Sequence, residues 1–165
     1  MAQVALIMGS KSDLTVVQPA IDILKKFNVK CEVRIISAHR TPDEAKKFAS
    51  EAESKGVEVI IAAAGKAAHL GGFLAAYTNL PVIGIPVMSS TLDGLDSLLS
   101  MVQMPSGVPV ACVAINGSLN AGLLAIQILS LKDERLRKEL DNYRKLMRES
   151  VIADDITIQK ETSGK

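Results

Sequence analysis

Residues 57–87 read VEVIIAAAGKAAHLGGFLAAYTNLPVIGIPV, a stretch that is either a membrane span or a pair of buried strands joined by a helix. It is apolar on average, so it is tested first as a membrane span. Lys66, His69 and Asn79 interrupt it, as do Gly65, Gly71, Gly72 and Pro81. No clean run of about 18 apolar residues survives, and a spanning helix needs one. Parallel strands buried on both faces also read as continuous apolar runs. The stretch therefore divides into a strand over 57–64, a helix over 66–78 weakened by Gly71-Gly72, and a strand over 80–87.

The same alternation extends in both directions. VALIMG (4–9) is a strand ending in Gly-Ser. Leu14, Val17, Ile21, Leu24 and Phe27 recur at helical spacing over 13–27. Pro19 should kink that helix or restart it. CEVRIIS (31–37) alternates and is β-branched. Thr41, Pro42 and Glu44 open the next helix as N-cap, N1 and N3 of a capping box, and Gly56 closes it. Beyond 87 come a helix over 91–103, a strand over 108–115 and an Ala/Leu-rich helix over 118–130. A charged helix follows over about 132–150, with Leu136, Leu140, Tyr143 and Met147 on one narrow stripe. The tail 154–165 is polar and expected to fray.

Five strands alternating with helices through short connections specify an α/β fold. The expected architecture is a three-layer, doubly wound, flavodoxin-like parallel sheet of five strands with helices on both faces and an extra C-terminal helix. The 165 residues suit one domain, with its core in 3–130 and the 132–150 helix free for a neighbour. Charge is nearly balanced, 19 Lys+Arg against 18 Asp+Glu, and only 3% of residues are aromatic. That excludes a nucleic-acid backbone footprint and base-stacking platforms. Cys31 and Cys112, far apart and in apolar runs, read as reduced core residues of a cytoplasmic protein. The N-terminal MAQVALIMG has no basic stretch and is expected to run straight into a strand.

In an open α/β sheet, ligands bind beyond the carboxyl ends of the strands. The loops there are Gly9-Ser10-Lys11-Ser12-Asp13, Ser37-Ala38-His39-Arg40-Thr41, Gly65-Lys66-Ala67-Ala68-His69, Met88-Ser89-Ser90 and Asn116-Gly117-Ser118. Both histidines of the chain fall on this one edge, together with Arg40. Each piece alone has a plainer reading. Gly9-Ser10 suits an ordinary βα turn, His39 a polar loop residue, Arg40 a solvated charge, and His69 a hydrogen-bonded core residue. Together they offer hydroxyls and an Arg beside helix N-termini, which suits phosphate. They also offer imidazoles for proton transfer. No cysteine stands near a histidine, and there is no G-x-S-x-G elbow or metal-ligand spacing. A flavodoxin-like or receiver-like nucleotide-binding module is the non-enzyme alternative. It lacks an aromatic flavin clamp here.

At these residues the chain resembles a known family. MGSKSD (8–13), SAHRTPD (37–43), AAAGKAAHL (62–70), LPVIGIPV (80–87), DSLLSMVQMPSGVPVACVAI (96–115) and NAGLLAIQIL (120–129) resemble the 5-(carboxyamino)imidazole ribonucleotide mutases of purine biosynthesis. The resemblance implies conversion of N-carboxyaminoimidazole ribonucleotide into its C4-carboxylated isomer. The carboxylate leaves as CO₂, is held in the site, and is attacked by C4. No ATP, metal or organic cofactor is implied. His39 is implied as the general acid/base, and Ser10, Asp13 and Arg40 as substrate ligands. Asp13 is assigned to the ribose, and Arg40, Ser12 and Ser37 to the phosphate. Gly65, Lys66, His69 and Leu70 of the third loop are assigned to the base and CO₂ pocket. A homo-octamer is implied as well. The family's third loop commonly reads AGAGGAAHLPG, so Ala63, Lys66 and Gly71 depart from it. A sister group carboxylates the aminoimidazole ribonucleotide with free CO₂. It tends to carry Lys in place of Arg40.

Overall fold

The computed structural model describes residues 3–90 and 92–163. Its chain forms two compact units, Met1–Leu129 and Ser130–Lys165. In the first unit the strands are β1 (Val4–Met8), β2 (Cys31–Ile35), β3 (Val59–Gly65), β4 (Val82–Val87) and β5 (Ala111–Cys112). All pair parallel, in the order β2-β1-β3-β4-β5. The helices are α1 (Leu14–Lys26), α2 (Pro42–Glu51), α3 (Leu70–Ala75), α4 (Leu95–Val102) and α5 (Ser118–Ser130).

The three central strands are the apolar runs that reach full burial, because side chains on both faces are covered. Ala5, Ile7, Ile60, Ala62 and Ala64 point into one cluster with Ala45, Phe48, Leu70, Leu74 and Met101 of α2, α3 and α4. The alternate residues Val4, Leu6, Val59 and Ile61 are equally inaccessible, so the opposite face is covered too. There α5 lies against α1 at Gly122. A Cβ on Gly122 would meet Ile23 Cγ2 and approach the Ala20 carbonyl oxygen to 3.1 Å.

Four expectations need correction. Pro19 does not break α1, which is continuous from Leu14 to Lys26. Pro19 and Thr15, whose carbonyl loses its usual donor, are both exposed, so water can replace the missing bond. Thr41 caps no helix with its side chain. Its hydroxyl accepts from the Ser37 N–H at 3.0 Å and donates to the Ser37 carbonyl at 3.1 Å, bracing the preceding loop instead. The helix expected over 66–78 is only Leu70–Ala75, because Lys66 turns the chain with φ +56°. The strand expected over 108–115 pairs only at Ala111 and Cys112. Pro109 has no N–H to donate to a ladder, and the strand lies at the sheet's edge.

The two thiols are half-buried rather than core, since β2 and β5 are the edge strands. Burial pushes the Cys31 thiol up to about 11 and raises that of Cys112, which makes both poor nucleophiles.

The second unit is one helix, α6 (Glu134–Ser163). Asp133 opens it, its carboxylate accepting from the N–H groups of Arg135 and Leu136 at 2.9 and 3.2 Å. Arg135 pairs with Glu139 at 2.9 Å one turn on. The helix runs well past residue 150, where the sequence reading closes it. Residues 151–163 contain neither Gly nor Pro, and Gln159 donates to Asp155 at 2.8 Å across a turn. Among the described residues, no helix is long and apolar enough to cross a membrane.

Candidate active site

The strand order reverses direction between β1 and β3. That is the switch point at which sheets of this order open a crevice. Met8 and Ala63 are in register there, and the Gly9 N–H donates to the Ala63 carbonyl at 3.1 Å. The loops after β1, β2, β3 and β4 surround a cavity of about 600 Å³ at this point, a size suited to a small ligand. Ser10, Ser12, Asp13, Ser37, His39, Arg40, Gly65, Lys66 and Leu70 all line it. His69, the remaining candidate, is not in the lining.

The first loop is tied by its own polar groups. The Ser10 N–H donates to Asp13 Oδ2 at 3.1 Å, and the Ser12 N–H donates to Ser10 Oγ at 3.3 Å. Ser12 Oγ lies 2.9 Å from Ser10 Oγ and 3.2 Å from Asp13 Oδ1. The capping arrangement expected at Thr41 is found here instead, on the short turn Lys11–Asp13. It sets the Ser10 and Ser12 hydroxyls at the cavity wall.

Arg40 joins the second loop to the first. Its Nη2 donates to the Gly9 carbonyl at 2.6 Å, and its Nε donates to Ser37 Oγ at 3.4 Å. The backbone N–H of Arg40 also reaches Ser37 Oγ, at 3.2 Å. The guanidinium is therefore held as a rigid fork, the form that suits bidentate anion contact.

The third loop brings the other histidine. His69 Nδ1 lies 3.0 Å from His39 Nε2, and the rings meet edge to face at 89°. Lys66 turns this loop in the left-handed region, where a side chain is disfavoured, and its carbonyl is 3.5 Å from Ser100 Oγ. Apolar side chains of Ala64, Ala67, Leu70, Val87 and Met88 complete the wall.

Two residues that the sequence places on the loop edge without a role contribute as well. Met88 lines the cavity, and its N–H donates to Asn116 Oδ1 at 2.9 Å. Asn116 holds φ +57° and donates its own N–H to the Pro86 carbonyl at 2.8 Å. An Asn-Gly pair directly after a strand was the available signal for this prop.

Asp13 is buried, and desolvation pushes its carboxyl up from the ordinary value. The Ser12 hydroxyl, the Ser10 N–H and the Arg40 charge offset only part of that. A raised value means that the folded chain binds this proton more readily than the unfolded one. Stability contributed here falls as pH rises through the ordinary value to the raised one, and the ionised form then weighs on the fold. Asp13→Asn is therefore expected to be more stable than wild type to urea at about pH 7, the difference closing near pH 3. Lower stability of the variant at neutral pH would show that the carboxylate's hydrogen bonds outweigh its desolvation.

Residues 3–150 match the family model described as AIR carboxylase. The N5-carboxyaminoimidazole ribonucleotide mutase of Thermotoga maritima is 53% identical over 152 residues, 92% of this chain and 89% of that protein. The chloroplastic phosphoribosylaminoimidazole carboxylase of Vigna aconitifolia is 51% identical over 93% of this chain, which covers 28% of that protein. Among solved structures, Treponema denticola PurE superposes with a TM-score of 0.85 at 31% identity, over 92% of this chain and 95% of that one.

Proposed function

The chain belongs to the AIR carboxylase family, and we propose that it is a mutase. On this reading it converts N-carboxyaminoimidazole ribonucleotide to 4-carboxy-5-aminoimidazole ribonucleotide in purine biosynthesis. The observation that carries this reading is the switch-point cavity. It combines one imidazole, a braced guanidinium, hydroxyls and an apolar wall. Those parts are what this rearrangement needs.

The substrate has an anionic phosphate at one end and a carboxylated aminoimidazole at the other. We assign the phosphate to Arg40, Ser12 and Ser37, and the ribose hydroxyls to Asp13, with Ser10 beside them. Gly65, Lys66 and Leu70 take the base side. His39 gives a proton to the carbamate nitrogen as its C–N bond breaks and CO₂ departs. C4 then attacks that CO₂, and His39 takes the C4 proton. The proton count closes on one imidazole, which gives one proton and takes one back. Ala64, Ala67, Leu70 and Val87 suit the holding of an uncharged, apolar molecule between the two steps. Excluding water there keeps the CO₂ from hydration and loss.

The carboxylase-named relative supports a second reading, direct carboxylation of the aminoimidazole ribonucleotide. Arg40, where the sister group tends to carry Lys, favours the mutase. Purified protein is expected to convert the carbamate faster than its spontaneous rate. Activity only on the aminoimidazole ribonucleotide plus bicarbonate would reverse the choice.

The assembly belongs to the same proposal. α6 exposes Leu146, Met147, Val151, Ile152 and Ile156, apolar surface on more than one side of the helix that suits contact with further copies of this chain. A homo-octamer is expected by light scattering, and a mass near the single chain's 17.6 kDa would remove it. The cytoplasm is the expected location, in keeping with two free thiols.

A further inference from the structure

His69 stands beside the site, exposed, rather than in its wall. It is absent from the cavity lining, yet it makes a 3.0 Å contact with the one imidazole that lines the cavity. The two residues are 30 positions apart in the chain and stand on the loops after β2 and β3, the two strands that flank β1. His39 Nδ1 makes no hydrogen bond among the described residues, so it is the nitrogen left for substrate.

We propose that His69 is a positioning residue for His39. As a neutral Nε2–H imidazole, it accepts on Nδ1 from the His39 Nε2–H and so keeps Nδ1 of His39 as the nitrogen that gives and takes the substrate's proton. This rests on the mutase reading above and deepens it.

Two ring nitrogens 3.0 Å apart share one proton between them. If His69 were the donor, neutral His39 would carry its proton on Nδ1. Giving that proton away would leave an imidazolate, which a mild proton transfer does not produce. When His39 is an imidazolium, both its nitrogens carry protons and His69 can only accept. The acceptor arrangement alone allows the whole cycle. His39 Nδ1–H goes to the carbamate nitrogen, whose bond to the carboxyl carbon breaks with the pair staying on nitrogen. CO₂ is released, C4 bonds to it, and the C4 proton returns to Nδ1. Throughout, the Nε2–H stays on His39, directed at His69.

The other charged residues lining the cavity with His39 are Arg40 on its own loop, Lys66 on the third loop and Asp13 on the first. Two of these three are cations and oppose a charged imidazole. A neutral acceptor on Nε2 favours the charged form against them. Removing it withdraws that support, so activity that needs protonated His39 should fail at lower pH on the alkaline side.

The chain has two histidines, so a spectrum of protein carrying isotope-labelled histidine contains only their four ring nitrogens. Both rings are expected as the Nε2–H tautomer when neutral. His69→Ala is expected to lower kcat about 10- to 100-fold with KM within about two-fold, as loss of a hydrogen bond to a charged group implies. Its alkaline limb should move to lower pH, and His39 should become a mixture of tautomers. His69→Asn, whose amide oxygen can accept, should recover most of the loss. Three results would overturn the proposal: His39 found as the Nδ1–H tautomer in wild type, kcat and the alkaline limb unchanged in His69→Ala, or KM alone rising. The tautomers are read without turnover. A failure of the mutase reading is therefore distinguishable from a failure of this pairing.

Discussion

His39→Asn is expected to lower kcat by about 10²–10⁴-fold, the range that a positioned acid or base contributes. The substrate should still bind. Asn has the size and polarity to fill the place of the imidazole and to face His69 Nδ1, but it neither gives nor accepts a proton near neutral pH. His39 is exposed at the cavity mouth, so the substitution opens no hole in the core and the fold should tolerate it. A calorimetric titration with the ribonucleotide should give a Kd close to that of wild type. The loss would then lie in the chemical step, since kcat falls without a matching change in binding. Turnover near the wild-type rate would remove His39 from its assigned role.

Arg40→Met is expected to act on the other side of this division, weakening substrate binding by about 100-fold or more. Two effects combine. The charge-assisted contacts to an anionic group disappear. The tie from Arg40 Nη2 to the Gly9 carbonyl, 2.6 Å long, disappears as well, so the first and second loops lose their common brace. Arg40→Lys separates these effects, because it keeps the charge but not the planar fork. It should fall between the two. Measured Kd values for the phosphorylated ribonucleotide and for its dephosphorylated nucleoside would locate the contact. The variants should differ greatly from wild type on the first ligand and little on the second. An unchanged Kd for the ribonucleotide in Arg40→Met would assign the phosphate elsewhere.

The sheet was legible in the chain because its central strands are buried on both faces and therefore read as unbroken apolar runs. Residues 4–8, 59–65 and 82–87 follow that pattern closely. β5 did not, because at the edge of the sheet a run of apolar residues need not pair at all. The loop edge was legible for a topological reason: in βα units every loop that follows a strand ends on the same side. Ser10, Ser37, Arg40 and Lys66 could thus be placed together without knowing the strand order. Contacts that depend on that order could not. The His39–His69 pair joins loops whose strands, β2 and β3, are not neighbours but flank β1, and periodicity carries no information on strand order. Thr41 shows a local limit of another kind. Its side chain had two partners within reach, and the loop backbone at Ser37 won over the helix N-terminus.

On this mechanism the carboxyl group leaves nitrogen and reaches C4 without leaving the site. That retention is tested most directly by supplying the carbamate with an isotope-labelled carboxyl carbon in a large excess of unlabelled bicarbonate. A single-turnover reaction should yield C4-carboxylated product that retains the label. Product carrying the unlabelled carbon of the bulk pool would contradict the account and assign the chain to direct carboxylation.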